Sequence, residues 1–261
     1  MQAFVFQTPT SVQAAAQAAA DSGAKLLAGG QSYLASMKMG LAAPESLVDL
    51  SGVPGLSGIS VGGGAVRIGA MTTHAAVAAS AEVQKAIPAL ADLAGRIGDR
   101  QVRNRGTIGG SLANNDPSAC YPAAVLGLGA TIHTDRRAID ADQFFTGLYE
   151  TALQEGEVIT AVSFPVPERA GWQKFKQPAS RFSLVGVFVS KGPKGVRVAV
   201  TGAGACVFRA SSLEGLLAAN WSAAALNGAT VSAAGLNTDL HGSAEYRAAL
   251  IPVLAARAVA G

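Results

Sequence analysis

Two cysteines in 261 residues cannot staple a chain of this length, which excludes a disulfide scaffold. They also fall short of the four thiolates that usually hold an iron–sulfur cluster, so no cluster is expected on this chain alone. Histidine is scarce as well. His74, His133 and His241 lie far apart, and none has a second histidine at metal-ligand spacing, so no metal site is expected. Charge is thin: 20 Lys+Arg against 17 Asp+Glu leave a net +3, too weak a field to argue for nucleic acid. The trio Arg100, Arg103 and Arg105 lacks the interleaved aromatics that base stacking needs, and is better read as bracing a loop or lining a subunit interface. No apolar run reaches about 18 residues, so no membrane span is expected. The opening MQAFVFQTPTSVQ has neither a basic start nor a long apolar core, which argues against a signal peptide. Few cysteines and no leader point to a reducing, cytoplasmic compartment. The hydrophobic fraction of 49% with 14% charged residues excludes disorder, and the 31 glycines lack the period of collagen.

The length allows one large domain or two to three smaller ones. The first third reads as a compact βαβ-like unit. Strands are expected at Ala3–Phe6, Lys25–Ala28 and Ser46–Leu50, with a helix capped by Thr10 or Ser11 running towards Gly23. Leu56–Val61 and Ala65–Ile68 read as a hairpin across a Gly-Gly-Gly turn. Thr72 or Thr73 should cap a helix, and a helical pattern recurs over Ala81–Ile97. From Gly98 to Pro122 the periodicity vanishes into Gly, Asn, Asp, Arg and Pro, the chemistry of a long functional loop. Strands are expected at Ala130–His133 and Val158–Phe164. Beyond the Phe164-Pro-Val-Pro turn, Trp172–Gln177, Phe182–Ser190 and Gly195–Thr201 read as a three-stranded meander. Helices follow at Ser211–Asn220 and Ala244–Ala260, which makes the C-terminal part α+β. Cys206, in a run of small residues, is expected to be a buried small hydrophobe, and Phe182 a core residue.

Two glycine-rich stretches carry the chemistry. Ala28-Gly29-Gly30-Gln31-Ser32 follows a strand directly, and Thr107-Ile108-Gly109-Gly110-Ser111 lies in the long polar segment. Each offers consecutive backbone N–H groups and hydroxyls without side-chain bulk, which suits a pyrophosphate. Neither has a Walker lysine or the G-x-G-x-x-G pattern. An isolated Gly-Gly is most simply a tight turn, as Val61–Gly64 illustrates. Ser32 and Ser111 lie outside any G-x-S-x-G elbow, and no triad partner accompanies them.

With LLAGGQSYLASMKMG, IGAMTTH, IGDRQVRNRGTIGGSLANNDPSACYPA and FKQPASRFSLVGV in order along nearly the whole chain, the sequence closely resembles the FAD-binding medium subunit of molybdenum hydroxylases, the carbon monoxide dehydrogenase and xanthine dehydrogenase family. The resemblance implies an α+β fold of the vanillyl-alcohol-oxidase/PCMH type. Two N-terminal subdomains (1–55 and 56–168) would clasp FAD, and a small α+β domain (169–261), a three-stranded sheet with helices, would follow. It implies that Ala28, Gly29, Gly30, Gln31 and Ser32 wrap the FAD pyrophosphate from one side and Thr107, Ile108, Gly109, Gly110 and Ser111 from the other. Asn114, Asp116 and Pro117 would lie along the ribityl and isoalloxazine end, Lys176 near the flavin ring and Ile159 against it, and Phe182 stands where some relatives have an aromatic that stacks near the ring. Cys120 departs from the pattern, since several relatives carry Asp there and a thiol cannot replace a charged acceptor. The implied function is that of an oxidoreductase subunit with no catalytic acid, base or nucleophile of its own. Electrons would come from [2Fe–2S] clusters on a small partner and leave to an external acceptor. A large partner would carry molybdopterin and the substrate, in a dimer of heterotrimers. Two alternatives stay open: a self-contained FAD oxidoreductase with the same cofactor fold, and a non-enzymatic assembly subunit.

Overall fold

A computed structural model describes residues 2–21 and 23–261; Ser22, at the tail of the expected first helix, lies outside them. The first unit comprises β1 (Val5–Gln7), α1 (Val12–Ala19), β2 (Ala24–Leu27), α2 (Tyr33–Lys38) and β3 (Ser46–Asp49). Its three strands are parallel in the order β1-β3-β2. The central β3 is the buried one, as its apolar Leu47 and Val48 require. Ser11 caps α1 by accepting the Ala14 N–H.

The middle region follows with β4 (Ile59–Gly62), β5 (Ala65–Gly69), α3 (His74–Ala79), α4 (Ala81–Ala86), α5 (Pro88–Gly95), α6 (Arg100–Arg105), α7 (Ile108–Asn114), α8 (Tyr121–Leu128), β6 (Thr131–Thr134), β7 (Ala138–Asp140), α9 (Ala141–Phe144), β8 (Phe145–Gly147), β9 (Glu150–Thr151) and β10 (Ile159–Pro165). Five of these strands form one antiparallel sheet in the order β4-β5-β10-β6-β7. The helical pattern of Ala81–Ile97 is split in two at Ile87, because Pro88 forces the residue before it out of helical geometry. The segment from Gly98 to Pro122 is not a continuous loop as its composition suggests. Asp99 caps α6 through the Val102 N–H and Thr107 caps α7 through the Gly110 N–H. Two good caps outweigh a glycine-rich composition. Residues 121–128 of α8 are all buried.

The last part comprises β11 (Arg169–Lys176), β12 (Ser183–Gly192), β13 (Gly195–Thr201), β14 (Phe208–Arg209), α10 (Ser211–Ala219) and α11 (Ala244–Ala260). The strands make a four-stranded antiparallel sheet in chain order, one strand more than expected, because Phe208–Arg209 pairs with Ala199 and Val200 at its edge. One face packs on α10 and α11 through Val185, Val187, Leu213, Ile251 and Leu254. The other face meets α8, where Trp172, Phe188 and Ala199 join the middle core. The end of α8 is tied there: the Ser190 hydroxyl donates to Gly127 O at 2.6 Å and Arg197 Nε to Leu126 O at 2.7 Å. Two expectations are corrected. Phe182 precedes β12 and is half exposed, not core, and Cys206 is only half-buried. No helix of the described residues is long and apolar enough to cross a membrane.

Arg247 of α11 is buried and holds the C-terminal unit together. Its Nη1 donates to Leu184 O at 2.8 Å and Gly202 O at 2.9 Å, and its Nη2 to Asp239 at 2.7 Å. Removing the guanidinium strands two carbonyls, each costing about 1–3 kcal/mol. Arg247→Leu is therefore expected to destabilise the chain by about 3 kcal/mol in thermal or urea unfolding; an unchanged midpoint would contradict this role.

Candidate functional site

Between the first two units lies a cavity of about 700 Å³. Its walls are the Ala28–Ser32 loop, the first turn of α7, most of residues 149–159, Lys174 of the C-terminal sheet and Phe182 just before β12. The loop emerges from β2 and turns at Gly30, whose φ is +71°. It rests directly on the Arg105–Gly106 backbone, where a Cβ on Gly29 would collide with Arg105 O.

The two glycine-rich stretches differ in what they offer. In the 107–111 turn the amides of residues 108–111 are already engaged. Ile108 N–H donates to Thr72 O, Gly109 N–H to Ala70 O, Gly110 N–H to the Thr107 hydroxyl and Ser111 N–H to Thr107 O. This turn contributes hydroxyls and a bare glycine surface rather than free amides, a correction to the sequence expectation. The free amides lie in the other stretch. Among the described residues, the N–H groups of Gly29, Gly30, Gln31 and Ser32 have no hydrogen-bond partner, and Ser32 makes no side-chain cap on α2. An open run of amide donors next to a helix start is an anion-ready surface.

Of the other residues named from the sequence, Asn114, Asp116, Cys120 and Ile159 line the cavity, as do Thr107, Gly109, Gly110 and Ser111. Ile108 does not; it is fully buried in the middle core. Pro117 does not; its carbonyl accepts from Gly202 N–H and the Thr201 hydroxyl, tying the cavity floor to the C-terminal sheet. Lys176 is exposed at the end of β11, outside the wall. The ladder is irregular there, because Leu184 of β12 is an extra residue between the partners of Phe175 and Lys176. The lysine in the wall is Lys174, which is buried. Its Nζ donates to Arg181 O at 2.8 Å, Arg96 O at 2.9 Å and Cys120 Sγ at 3.4 Å. Cys120 thus has a basic neighbour that its local sequence does not show. Arg103 braces the turn before α6 through Ile97 O and Gly98 O, while Arg100 and Arg105 are exposed.

Two further residues, Tyr149 and His74, stand in the wall. Tyr149 reaches Asp116 Oδ2 with its hydroxyl at 3.4 Å; burial and the Asp116 charge push its phenol up. No motif flags it, since it sits in a short hairpin far along the chain. His74 at the start of α3 is buried, with its ring 5.3 Å from that of Tyr121 and its Nδ1 unpartnered among the described residues. Burial, then the nearby Arg103, depresses its pKa to about 4. It stands in the wall as a neutral ring. Burial and then Cys120 likewise push the Tyr121 phenol up.

A family model described as the FAD binding domain in molybdopterin dehydrogenase matches residues 2–167. The nicotine 6-hydroxylase medium subunit of Paenarthrobacter nicotinovorans is 36% identical over 271 residues, covering 97% of this chain and 95% of its own. The carbon monoxide dehydrogenase medium chain of Hydrogenophaga pseudoflava is 35% identical over 274 residues, covering 98% and 96%. Among solved structures, a carbon monoxide dehydrogenase from that organism superposes with a TM-score of 0.90 at 34% identity, covering 99% of this chain and 96% of its own. Quinoline 2-oxidoreductase from Pseudomonas putida 86 does so with a TM-score of 0.88 at 30% identity, covering 99% and 96%.

The depressed His74 pKa carries a stability consequence. Between pH 6.5 and about 4 the unfolded chain binds a proton at this residue that the folded chain refuses. Its contribution is fully present above pH 6.5 and is lost as the pH falls towards 4, about 3 kcal/mol when fully developed. Glu157, held well below the usual carboxylate range first by its Arg137 hydrogen bond, loses its contribution only lower, from 4.5 towards about 2. His74→Gln should flatten the fall of Tm with acid across the upper window, followed by circular dichroism. Parallel pH profiles for the two proteins would refute it.

Proposed function

The chain belongs to the FAD-binding family of molybdopterin dehydrogenases, and from that membership we propose that it passes electrons from [2Fe–2S] clusters of a small partner subunit to an external acceptor. It is the FAD-binding medium subunit of a molybdenum hydroxylase complex, with the PCMH-type α+β fold of the carbon monoxide dehydrogenase medium subunit. Large molybdopterin and small iron–sulfur subunits, arranged as a dimer of heterotrimers in a cytoplasmic setting, complete the proposal. The two free cysteines are in keeping with such a setting. We take 1–55 and 56–168 as the halves that grip the cofactor and 169–261 as the C-terminal domain. In support, each of the three larger sheets falls within one of these spans.

The observation that carries the reading is the run of amides at Gly29–Ser32, without a partner among the described residues, beside the Thr107–Ser111 turn in the cavity wall. A pyrophosphate needs close backbone approach and several neutral donors, and this crevice supplies both. Ala28–Ser32 would hold one side of it. Thr107 and Ser111 would add hydroxyls from the other, over the bare surface of Gly109 and Gly110. Asn114 and Asp116 would follow the cofactor outward, and Ile159 would give an apolar wall. Cys120 would contribute bulk and a weak thiol donor rather than a charged acceptor. We assign to Lys174, rather than to Lys176, the positive charge beside the ring; a cation there favours the reduced, anionic form. Ile108 and Pro117 would act from behind the wall, as packing and as an anchor. FAD, when bound, supplies chemistry that can accept electrons singly and release them in pairs. The protein supplies position, charge and exclusion of water.

The test is the visible spectrum of the purified full-length chain, with FAD identified after heat release. Gly110→Asp sharpens it. A Cβ there would stand 3.0 Å from the Thr107 hydroxyl oxygen and 3.2 Å from Ala28 Cβ, so the carboxylate must occupy the crevice. FAD affinity should fall by at least roughly 100-fold, as expected when a partly buried anion faces a phosphate, with the far-ultraviolet dichroism unchanged. Retained affinity would rule out this crevice as the pyrophosphate site.

A further inference from the structure

Leu148 and Tyr149 form the two-residue tip of the β8–β9 hairpin, where Gly147 pairs with Glu150. Tyr149 has a φ of +56°. At the second position of a tight turn this backbone favours glycine or asparagine, because a Cβ crowds the neighbouring carbonyl. The residue that holds the tip is itself left-handed. Asn115, at φ +41°, is fully buried, and its Nδ2 donates to Gly147 O at 2.9 Å and to Glu150 O at 2.7 Å. These are the residues on either side of the tip. Asn115 also terminates α7, the helix that begins at the glycine-rich turn. Tip and turn are thereby joined through one side chain. The Tyr149 hydroxyl meets Asp116, and its residue lines the cavity while remaining 57% exposed.

A turn residue that merely faced solvent would be served better by glycine. A strained tyrosine, fixed from below by a buried asparagine and from the side by an aspartate, fits a ligand contact. Its ring offers a flat apolar face with few rotations to freeze.

We propose that Tyr149 contacts the cofactor, covering one aromatic ring of FAD bound in the cavity, and that Asn115 is the residue that positions it. This rests on the flavin reading above. Deflavinated full-length chain is titrated with FAD, recording affinity, flavin fluorescence lifetime and the Tm without FAD. Tyr149→Gly relieves the backbone, so its FAD-free Tm should hold or rise, while FAD affinity falls by about ten-fold or more. Tyr149→Phe should retain most of the affinity. Asn115→Gly keeps the left-handed backbone but drops both tip hydrogen bonds; it should weaken FAD binding alone and add little to Tyr149→Gly. A longer flavin lifetime in Tyr149→Gly identifies the covered ring as the isoalloxazine; lost affinity with an unchanged lifetime identifies it as the adenine. Either result upholds the proposal. Equal FAD affinity in wild type and Tyr149→Gly overturns it while leaving the flavin reading intact, whereas a wild-type chain that binds no FAD overturns both.

Discussion

The approach of the Ala28–Ser32 loop to the Arg105–Gly106 backbone is the constraint around which the cavity is organised. It requires a residue without a side chain at Gly29, because Arg105 O lies where a Cβ would stand. It also fixes the corner between α6 and α7. Gly106 O accepts from His74 N–H at 2.9 Å, and Thr107 O and hydroxyl hold the first turn that follows. With the α7 amides consumed by Ala70, Thr72 and Thr107, the loop from the first unit is left to present donors. The asymmetry has a simple physical content: one wall is rigid and hydrogen-bonded, and the other keeps its polar backbone open to an occupant.

The C-terminal sheet, remote in sequence, is the rear support of the same cavity. Pro117 O takes hydrogen bonds from Thr201 and Gly202, and Lys174 reaches across to Arg96 O at the end of α5 and to Cys120 beside α8. A buried ammonium needs compensating acceptors, and the two carbonyls and the sulfur supply them. Wall charge and wall shape are therefore coupled through one side chain.

Local patterns made much of this legible. The glycine pairs, the cap at Ser11, the hairpin at Gly63–Gly64 and the C-terminal meander are all read from residues close in sequence, and the structure places them near where those patterns put them. Longer-range features were hidden. Composition concealed α6 and α7, although Asp99 and Thr107 were sound cap signals. Which lysine faces the cavity depends on distant partners, Arg96 O and Cys120, that hold Lys174 in the wall and that no periodicity reveals. Tyr149 owes its place to a hydrogen bond from Asn115, more than thirty residues away in sequence. Whether an amide is free depends on every partner around it, which is why two similar-looking glycine stretches proved to be different surfaces.

The middle strand β10 has a consequence for how the molecule comes to exist. It lies between β5 and β6 in a five-stranded sheet, yet it is the last of those strands in the chain. During synthesis the earlier hairpin and helices must wait, with Val66, Ile68 and Ile132 uncovered, until residues Ile159–Pro165 have emerged. Closure of the sheet thus waits on the last of its strands to emerge, a long-range pairing that leaves the edges of β5 and β6 unpaired meanwhile. The cofactor crevice is complete only once Lys174 and Phe182, among the last residues of its wall, have followed.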